Sequence, residues 1–163
     1  MIFDRDISNA VKNRLMEAYP ADMVYIDQVP ADFVRPSRLV EIENFELEPE
    51  NYASMTVNVL LRVTCFPPVD KARKISTKAA LSAMMYQTYL ALHGVDARTA
   101  GALPVEDRHL HISRVTMDKG GLDYCMVDVI LSYVDDRVTM DAYPYMEEVD
   151  LSLGAEIPGS EQF

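Results

Sequence analysis

The chain has 163 residues, of which 49% are hydrophobic, so it can form one domain with a substantial core. Its net charge of −11 at pH 7 and its pI near 4.6 argue against a protein that grips nucleic-acid phosphates or an anionic membrane surface, because both need a basic face. No apolar run approaches the roughly 20 residues that span a bilayer. The N-terminal sequence MIFDRDISNA lacks the basic and then apolar order of a signal peptide. We therefore expect a soluble intracellular protein.

The first predicted elements are a helix and a short strand. Apolar residues recur at helical spacing over Asp4–Tyr19, and Pro20 ends that helix. The apolar segment Met23–Asp27 then predicts a strand. Residues 28–37 contain two prolines and predict a loop or an irregular sheet edge.

The next two strands are predicted to form an antiparallel hairpin. The first, Arg38–Leu47, places Val40 and Ile42 on one side of the sheet and Phe45 on the other. A polar turn at Glu48–Asn51 then leads to a long strand at Tyr52–Phe66. This strand is the predicted centre of the sheet, because one of its faces is entirely apolar: Met55, Val57, Val59, Leu61, Val63 and Cys65.

A long helix and a long loop follow the central strand. Asp70 is the predicted cap of a helix over Lys71–His93, and Gly94 is well placed to end it. Residues Val95–Asp107 are predicted to form a loop, and loops of that length are usually functional or disordered.

The last regular pattern is a second hairpin. Strands at His109–Met117 and Leu122–Val134 flank turn residues Asp118–Gly121. The 29 residues from Asp135 onward include eight acidic residues and only one basic residue. We expect them to form an extended arm that is ordered only when something binds it, with a short strand at Val138–Tyr143 as the alternative.

These elements predict an α+β fold. Its sheet would have four to five mainly antiparallel strands, with the two main helices packed on one face. We divide the chain into a domain at residues 1–135 and an acidic C-terminal arm at residues 136–163. The two cysteines, Cys65 and Cys125, each lie on the apolar side of a strand, so we expect buried free thiols.

Few residues form a pattern that points to catalysis. His109 and His111 share one strand face, and Asp123 or Asp128 could lie across the hairpin, which would make a two-histidine, one-carboxylate metal site. Histidines at this spacing also occur on strand edges without metal. The sequence contains no phosphate-binding glycine loop and no nucleophile elbow. We therefore predict a binding or assembly protein with no cofactor and no resident metal, and a small metal-dependent enzyme is the less favoured alternative.

Three stretches give the chain a resemblance to the tail terminator proteins of tailed bacteriophages and prophages, especially those of Gram-positive hosts. The first is VYIDQVPADFVRPSRLVEI, after the N-terminal helix. The second is TVNVLLRVTCFPP, which leads into the long helix, and the third is the late hairpin DRHLHISRVTMDKGGLDYCMVDVILSY. Together they cover about residues 4–135, and none is a catalytic signature.

The resemblance implies a structural protein of the virion. Members of this family are small α+β proteins that close into a hexameric ring on the finished tail tube. The ring stops tube polymerisation and presents a surface to the neck and head-completion proteins, and DNA passes through its lumen without specific binding. The acidic balance suits such a lumen, because carboxylates repel phosphates. A neck or head-completion connector of similar fold is the nearest alternative.

A closed ring also implies where subunits meet. A cyclic ring needs two different patches on each subunit. We expect the loop before the late hairpin and the turn of that hairpin to project toward the ends or lumen of the ring, and the Pro-rich segment to meet a neighbouring subunit. The candidate assembly contacts are Phe33, Arg35, Pro36, Arg98, Asp118 and Lys119.

Overall fold

A computed structural model describes residues 4–50, 54–93, 101–106 and 108–135. These residues form two helices and six strands. In chain order the elements are α1 (Asp4–Ala18), β1 (Met23–Ile26), β2 (Ser37–Pro49), β3 (Met55–Phe66), α2 (Lys78–His93), β4 (Ala102–Val105), β5 (Arg108–Lys119) and β6 (Cys125–Asp135).

All six strands join one sheet in the order β1-β2-β3-β6-β5-β4. Strand β1 runs parallel to β2, and the remaining neighbours are antiparallel. The predicted α+β class and the mainly antiparallel sheet are confirmed, but the predicted number of strands is too low. The additional strand, β4, lies inside the loop predicted at Val95–Asp107; four residues that include Pro104 are too short to show an alternating pattern.

The core lies between the two helices and one face of this sheet. Strand β3 pairs along its length with β2 on one side and β6 on the other, and its alternate residues from Val57 to Cys65 are buried. Helix α1 contributes Ile7, Val11 and Leu15 to the same core. The Arg14 guanidinium ties α1 to the neighbouring elements, since it donates to the Leu92 carbonyl at the end of α2 (3.2 Å) and to the Ala102 carbonyl of β4 (2.7 Å).

An irregularity in β2 reverses the predicted orientation of Phe45. The pairing shifts between Ile42 and Asn44, so Ile42 lies opposite Leu61 and Phe45 lies opposite Val59. Residues directly opposite each other share a sheet face, so Ile42 and Phe45 both pack toward the core. The strict alternation that placed Phe45 on the other face was wrong, because the extra residue of a bulge changes which face the later residues occupy.

The main helix starts later than predicted. Asp70 caps a local turn, because its carboxylate accepts from the Ala72 amide (2.9 Å) and its carbonyl accepts from the Lys74 amide (2.7 Å). Thr77 caps the helix proper, since its hydroxyl accepts from the Ala80 amide at 3.1 Å. The predicted start at Lys71 is therefore wrong. A local turn and an irregular segment come first, and the helix begins at Lys78.

Hairpin ends also differ from the prediction. Strand β2 continues to Pro49, which pairs with Met55, so the predicted turn at Glu48–Asn51 is partly strand. The late hairpin turns between Lys119 and Cys125 rather than at Asp118–Gly121. The predicted arm, with its alternative strand at Val138–Tyr143, lies outside the described residues, as do residues 51–53 and most of the predicted Val95–Asp107 loop.

Within the described part of the chain, neither helix is both long and apolar enough to cross a membrane.

The central position of β3 predicts a large penalty for truncating its core face. Leu61 is fully buried, so Leu61→Ala should lower the free energy of unfolding by about 2–5 kcal/mol through lost burial and a residual cavity. Urea unfolding followed by circular dichroism measures this. The matched control is Leu122→Ala, because Leu122 is 74% exposed and its truncation should change stability by less than about 0.5 kcal/mol. Equal effects of the two substitutions would contradict this description of the core.

Candidate assembly surface

Arg35 connects three separate parts of the chain at one end of the sheet. Its guanidinium donates to the Pro67 carbonyl (3.0 Å), the Asp123 carbonyl (2.8 Å) and the Asp123 carboxylate (3.1 Å). Pro67 follows β3, and Asp123 lies in the turn between β5 and β6. One side chain therefore ties the loop before β2 to the end of β3 and to the late hairpin. We call this group of contacts the Arg35 junction.

Two aromatic rings complete the Arg35 junction. The rings of Phe33 and Phe66 have centroids 5.0 Å apart and are tilted by 55°. The Arg35 guanidinium carbon lies 5.1 Å from the Phe33 centroid and 5.4 Å from the Phe66 centroid. A cation this close to two ring faces is held by cation–π attraction as well as by hydrogen bonds. The planar guanidinium suits such a site, and a lysine ammonium could not make all of these contacts at once.

The loop before β2 is fastened on its other side as well. The Val34 amide donates to the Tyr25 hydroxyl of β1 at 3.3 Å. The peptide bond between Arg35 and Pro36 is cis, and Pro36 is half-buried. Phe33 and Arg35 on either side of Val34 are held by the contacts of the Arg35 junction. Val34 itself lies at the surface, with 59% of its side chain exposed.

Antiparallel pairing explains why these segments meet. Ser37 at the start of β2 lies opposite Phe66 at the end of β3, and Cys65 lies opposite Cys125 at the start of β6. The beginning of one strand is thus beside the end of the next. The sequence pattern predicts that each segment bounds a strand. It does not predict which charged and aromatic residues of these segments meet, because that depends on the strand register.

The turn of the late hairpin is shaped by Tyr124. Its ring lies over Gly120 and Gly121, where an added Cβ atom would overlap with ring carbons. The Gly121 amide also donates to the Tyr124 carbonyl at 3.1 Å. The paired glycines therefore serve the close approach of this ring, which the turn signal in the sequence did not reveal.

The remaining predicted contacts fall in two places. Asp118 and Lys119 are exposed at the end of β5, where Lys119 lies opposite Cys125, at the same end of the sheet as the Arg35 junction. The structure therefore brings Phe33, Arg35 and Pro36 together and places Asp118 and Lys119 at the same sheet end. Arg98 lies outside the described residues.

The sheet face opposite the helices carries a charged cluster. Arg62 of β3 donates to both carboxylate oxygens of Asp128 on β6, at 2.8 Å and 3.1 Å, and Glu43 lies 3.9 Å from its guanidinium. The hydrogen bond to Asp128 is the main reason that the pKa of Arg62 is raised. The pKa of nearby Glu41 is raised as well. Partial burial is the main cause, and repulsion from Glu43 and Asp27 adds to it. This face is therefore polar at its centre.

The residues of the alternative metal site are not assembled. His111 lies opposite Ser132, whereas Asp128 lies opposite Thr116, farther along β5. Asp128 is engaged by Arg62, and Asp123 is engaged by Arg35. Among the described residues, no group of three His, Cys, Asp or Glu side chains is arranged to hold a metal ion.

Arg38 is a buried charged residue whose contacts the sequence pattern does not predict. This side chain is fully buried and donates to Asp22 (2.7 Å) and to the Thr88 hydroxyl of α2 (2.8 Å), with its guanidinium carbon 4.9 Å from the Tyr19 ring centroid. The alternation in β2 was the available signal, since it places Arg38 on the same face as Val40.

No protein-family model matches the chain, and no curated protein matches it either.

The Arg35 junction predicts that a conservative substitution is not tolerated there. Arg35→Lys should lower the free energy of unfolding by about 1–3 kcal/mol, because hydrogen bonds to a half-buried charge and two ring contacts are lost. Chemical unfolding measures the loss, and hydrogen exchange should show faster opening of the turn around Asp123. The control is Arg73→Lys at an exposed position before α2. If the two variants are equally stable, the junction does not fasten the hairpin.

Proposed function

We propose that this protein is a structural component of a phage tail that caps the head-proximal end of the tail tube as a ring. The ring stops tube polymerisation and offers an attachment surface to the neck and head-completion proteins. The observation that carries the proposal is the Arg35 junction. It joins the aromatic-Val-Arg-Pro loop, the Phe-Pro end of β3 and the late hairpin, which are the three stretches on which the resemblance to tail terminators depends.

The junction supports assembly because it makes a fixed surface out of loops. Loops are usually the most mobile parts of a fold, and an interface built on mobile loops has to order them on binding. Here Arg35 holds the loop and the hairpin turn together, and each presents an exposed apolar side chain, Val34 (59% exposed) and Leu122 (74% exposed). A neighbouring subunit would therefore meet a preformed patch.

The two ends of the sheet carry opposite charge. The end with the Arg35 junction also holds a basic segment before α2, which is joined to the late hairpin because the buried Ser76 backbone amide donates to the Leu122 carbonyl at 2.9 Å. We call this end the basic end; its exposed cations, Lys71, Arg73, Lys74, Lys78 and Lys119, outnumber the exposed carboxylates Asp70 and Asp118 at the same end. We call the distal part of the β2–β3 hairpin the acidic end; its exposed carboxylates are Glu46, Glu48 and Glu50, and Leu47 beside them is 54% exposed.

This polarity suits a ring of identical subunits. A cyclic ring joins one patch of each subunit to a different patch of the next, and opposite charges at the two patches favour that head-to-tail arrangement over a symmetric pair. A hexamer is the stoichiometry that the resemblance implies. The overall charge of −11 would leave excess carboxylates facing the lumen, so that DNA passes without adhering. In this proposal residues 1–135 form the ring and the acidic arm at 136–163 contacts a neighbouring subunit or the neck.

The direct test is electron microscopy of the particles made after this gene is deleted from its phage or prophage. Overlong, headless tail tubes are the expected result, because nothing would then stop polymerisation. Tails of normal length beside unjoined heads would contradict tail termination and assign the protein to the neck. Intact infectious particles would contradict both roles.

The charge polarity predicts reciprocal rescue between the two ends. Reversing the basic end with Lys71→Glu and Lys74→Glu should abolish complementation of the deletion, because like charges would then meet at every contact between subunits. Adding Glu46→Lys and Glu48→Lys in the same chain should restore tails of normal length. All four positions are exposed, so thermal unfolding should show that each variant is folded.

The matched control reverses charge away from both ends. Lys12→Glu lies on α1 and should complement the deletion as the unaltered protein does. Full complementation by the basic-end variant, or failure of the combined variant to recover any function, would contradict the head-to-tail contact between these ends.

A further inference from the structure

Cys65 and Cys125 lie directly opposite each other on β3 and β6. Both are free thiols, and both are buried on the sheet face that the helices cover. Directly opposed residues of antiparallel strands have Cα atoms about 4.5–5.5 Å apart. Disulfides join residues whose Cα atoms are about 4.4–6.8 Å apart, so directly opposed residues such as these lie within the separation that a disulfide needs.

A buried arginine lies beside the thiol pair. Arg38 of β2 is opposite Cys65, so Arg38, Cys65 and Cys125 form one row across three strands. Two nitrogens of the Arg38 guanidinium donate to Asp22 and Thr88, but Nη2 is buried without a hydrogen-bond partner. An unpaired buried donor is costly, and a thiolate at Cys65 would supply an acceptor for it.

The surroundings favour one thiolate within the pair. A hydrogen bond from Cys125, followed by the Thr88 hydroxyl and the charge of Arg38, lowers the pKa of Cys65 despite its burial. The same hydrogen bond to Cys65, together with burial, raises the pKa of Cys125. The Cys65 sulfur also lies 3.3 Å from the Thr88 oxygen. Cys65 is therefore the thiol of the pair that loses its proton first.

A cavity reaches Cys125, one member of the pair, from the surface. It has a volume of about 230 Å³, lies between α2 and the late hairpin, and has Cys125 in its wall. Its other walls include the apolar side chains of Leu81, Met85 and Leu122. A small uncharged molecule fits this space, whereas a peptide-sized oxidant does not.

We propose that Cys65 and Cys125 are a reversible dithiol–disulfide site that hydrogen peroxide oxidises through this cavity. The Cys65 thiolate takes the thiol proton of Cys125, the Cys125 sulfur in the cavity wall attacks one peroxide oxygen, and the O–O bond breaks; the departing hydroxide takes the proton from Cys65 to form water. The second sulfur then attacks the resulting sulfenic acid, which forms the S–S bond and releases hydroxide. The two sulfurs together lose two electrons to the peroxide. This modification does not depend on the proposed role in a phage tail.

Mass spectrometry of the full-length protein tests the site. The reduced protein should take up two alkyl groups when it is unfolded in iodoacetamide. After treatment with hydrogen peroxide it should take up none, lose the mass of two hydrogens, and yield a peptide pair linked through Cys65 and Cys125 that a dithiol reductant separates. Thiols that remain alkylatable after peroxide, irreversible sulfonic acids, or disulfides between chains would each overturn the proposal.

Two variants test the pairing and the route. Cys125→Ala should form no internal disulfide, and its Cys65, which does not line the cavity, should react with peroxide much more slowly than the wild-type pair, provided that thermal unfolding shows the variant to be folded. Leu122→Ala opens the mouth of the cavity at an exposed position and should raise the rate of disulfide formation several-fold. An unchanged rate in Leu122→Ala would overturn the route through the cavity, and the wild-type mass measurement does not depend on either variant.

Discussion

The pairing of β3 with strands on both sides is the constraint on which the rest of the structure depends. Its register with β2 and with β6 sets which residues face the helices, and it brings the start of β2, the end of β3 and the start of β6 to one end of the sheet. The Arg35 junction, the buried Arg38 and the thiol pair all lie at that end. A shift of one residue in either register would turn the β3 core face toward solvent. The Arg35 junction, the burial of Arg38 and the thiol pair therefore all depend on the same strand pairing.

Much of this arrangement could be predicted from periodicity alone. Both helices, five of the six described strands and the core face of β3 follow from apolar spacing. The failures have local causes. A bulge after Ile42 reversed the face of Phe45, and Thr77 rather than Asp70 caps α2 because the intervening residues form a separate turn. A single extra residue or a competing cap has no periodic signature, so a pattern-based prediction passes over it.

The candidate surface was predictable only in part. The sequence singled out Phe33, Arg35 and Pro36 through a resemblance, but it did not identify Phe66, Pro67 or Asp123 as their partners. Contacts between residues 32 and 88 positions apart depend on the register of three strands, which no local pattern encodes. Arg38 shows the same limit, since its burial depends on partners in α2 and in the segment before β1. The opposite charge of the two sheet ends likewise emerges only when hairpin and helix-flanking segments are placed in space.

The two edges of the described sheet restrict how copies of this protein can associate. Strands β1 and β4 are only four residues long, and β4 contains a proline that cannot donate a hydrogen bond along the edge. They pair only with the first residues of β2 and β5, so the later residues of these two long strands have no neighbouring strand on that side within the described sheet. Exposed charged residues occupy these stretches, among them Glu46 and Glu48 on β2 and Asp118 and Lys119 on β5. Charged edges are poor templates for adding another strand, so they disfavour the stacking of sheets that leads to fibres. Association through side-chain surfaces is favoured instead, where specificity depends on shape and charge and where the number of subunits can be limited by geometry.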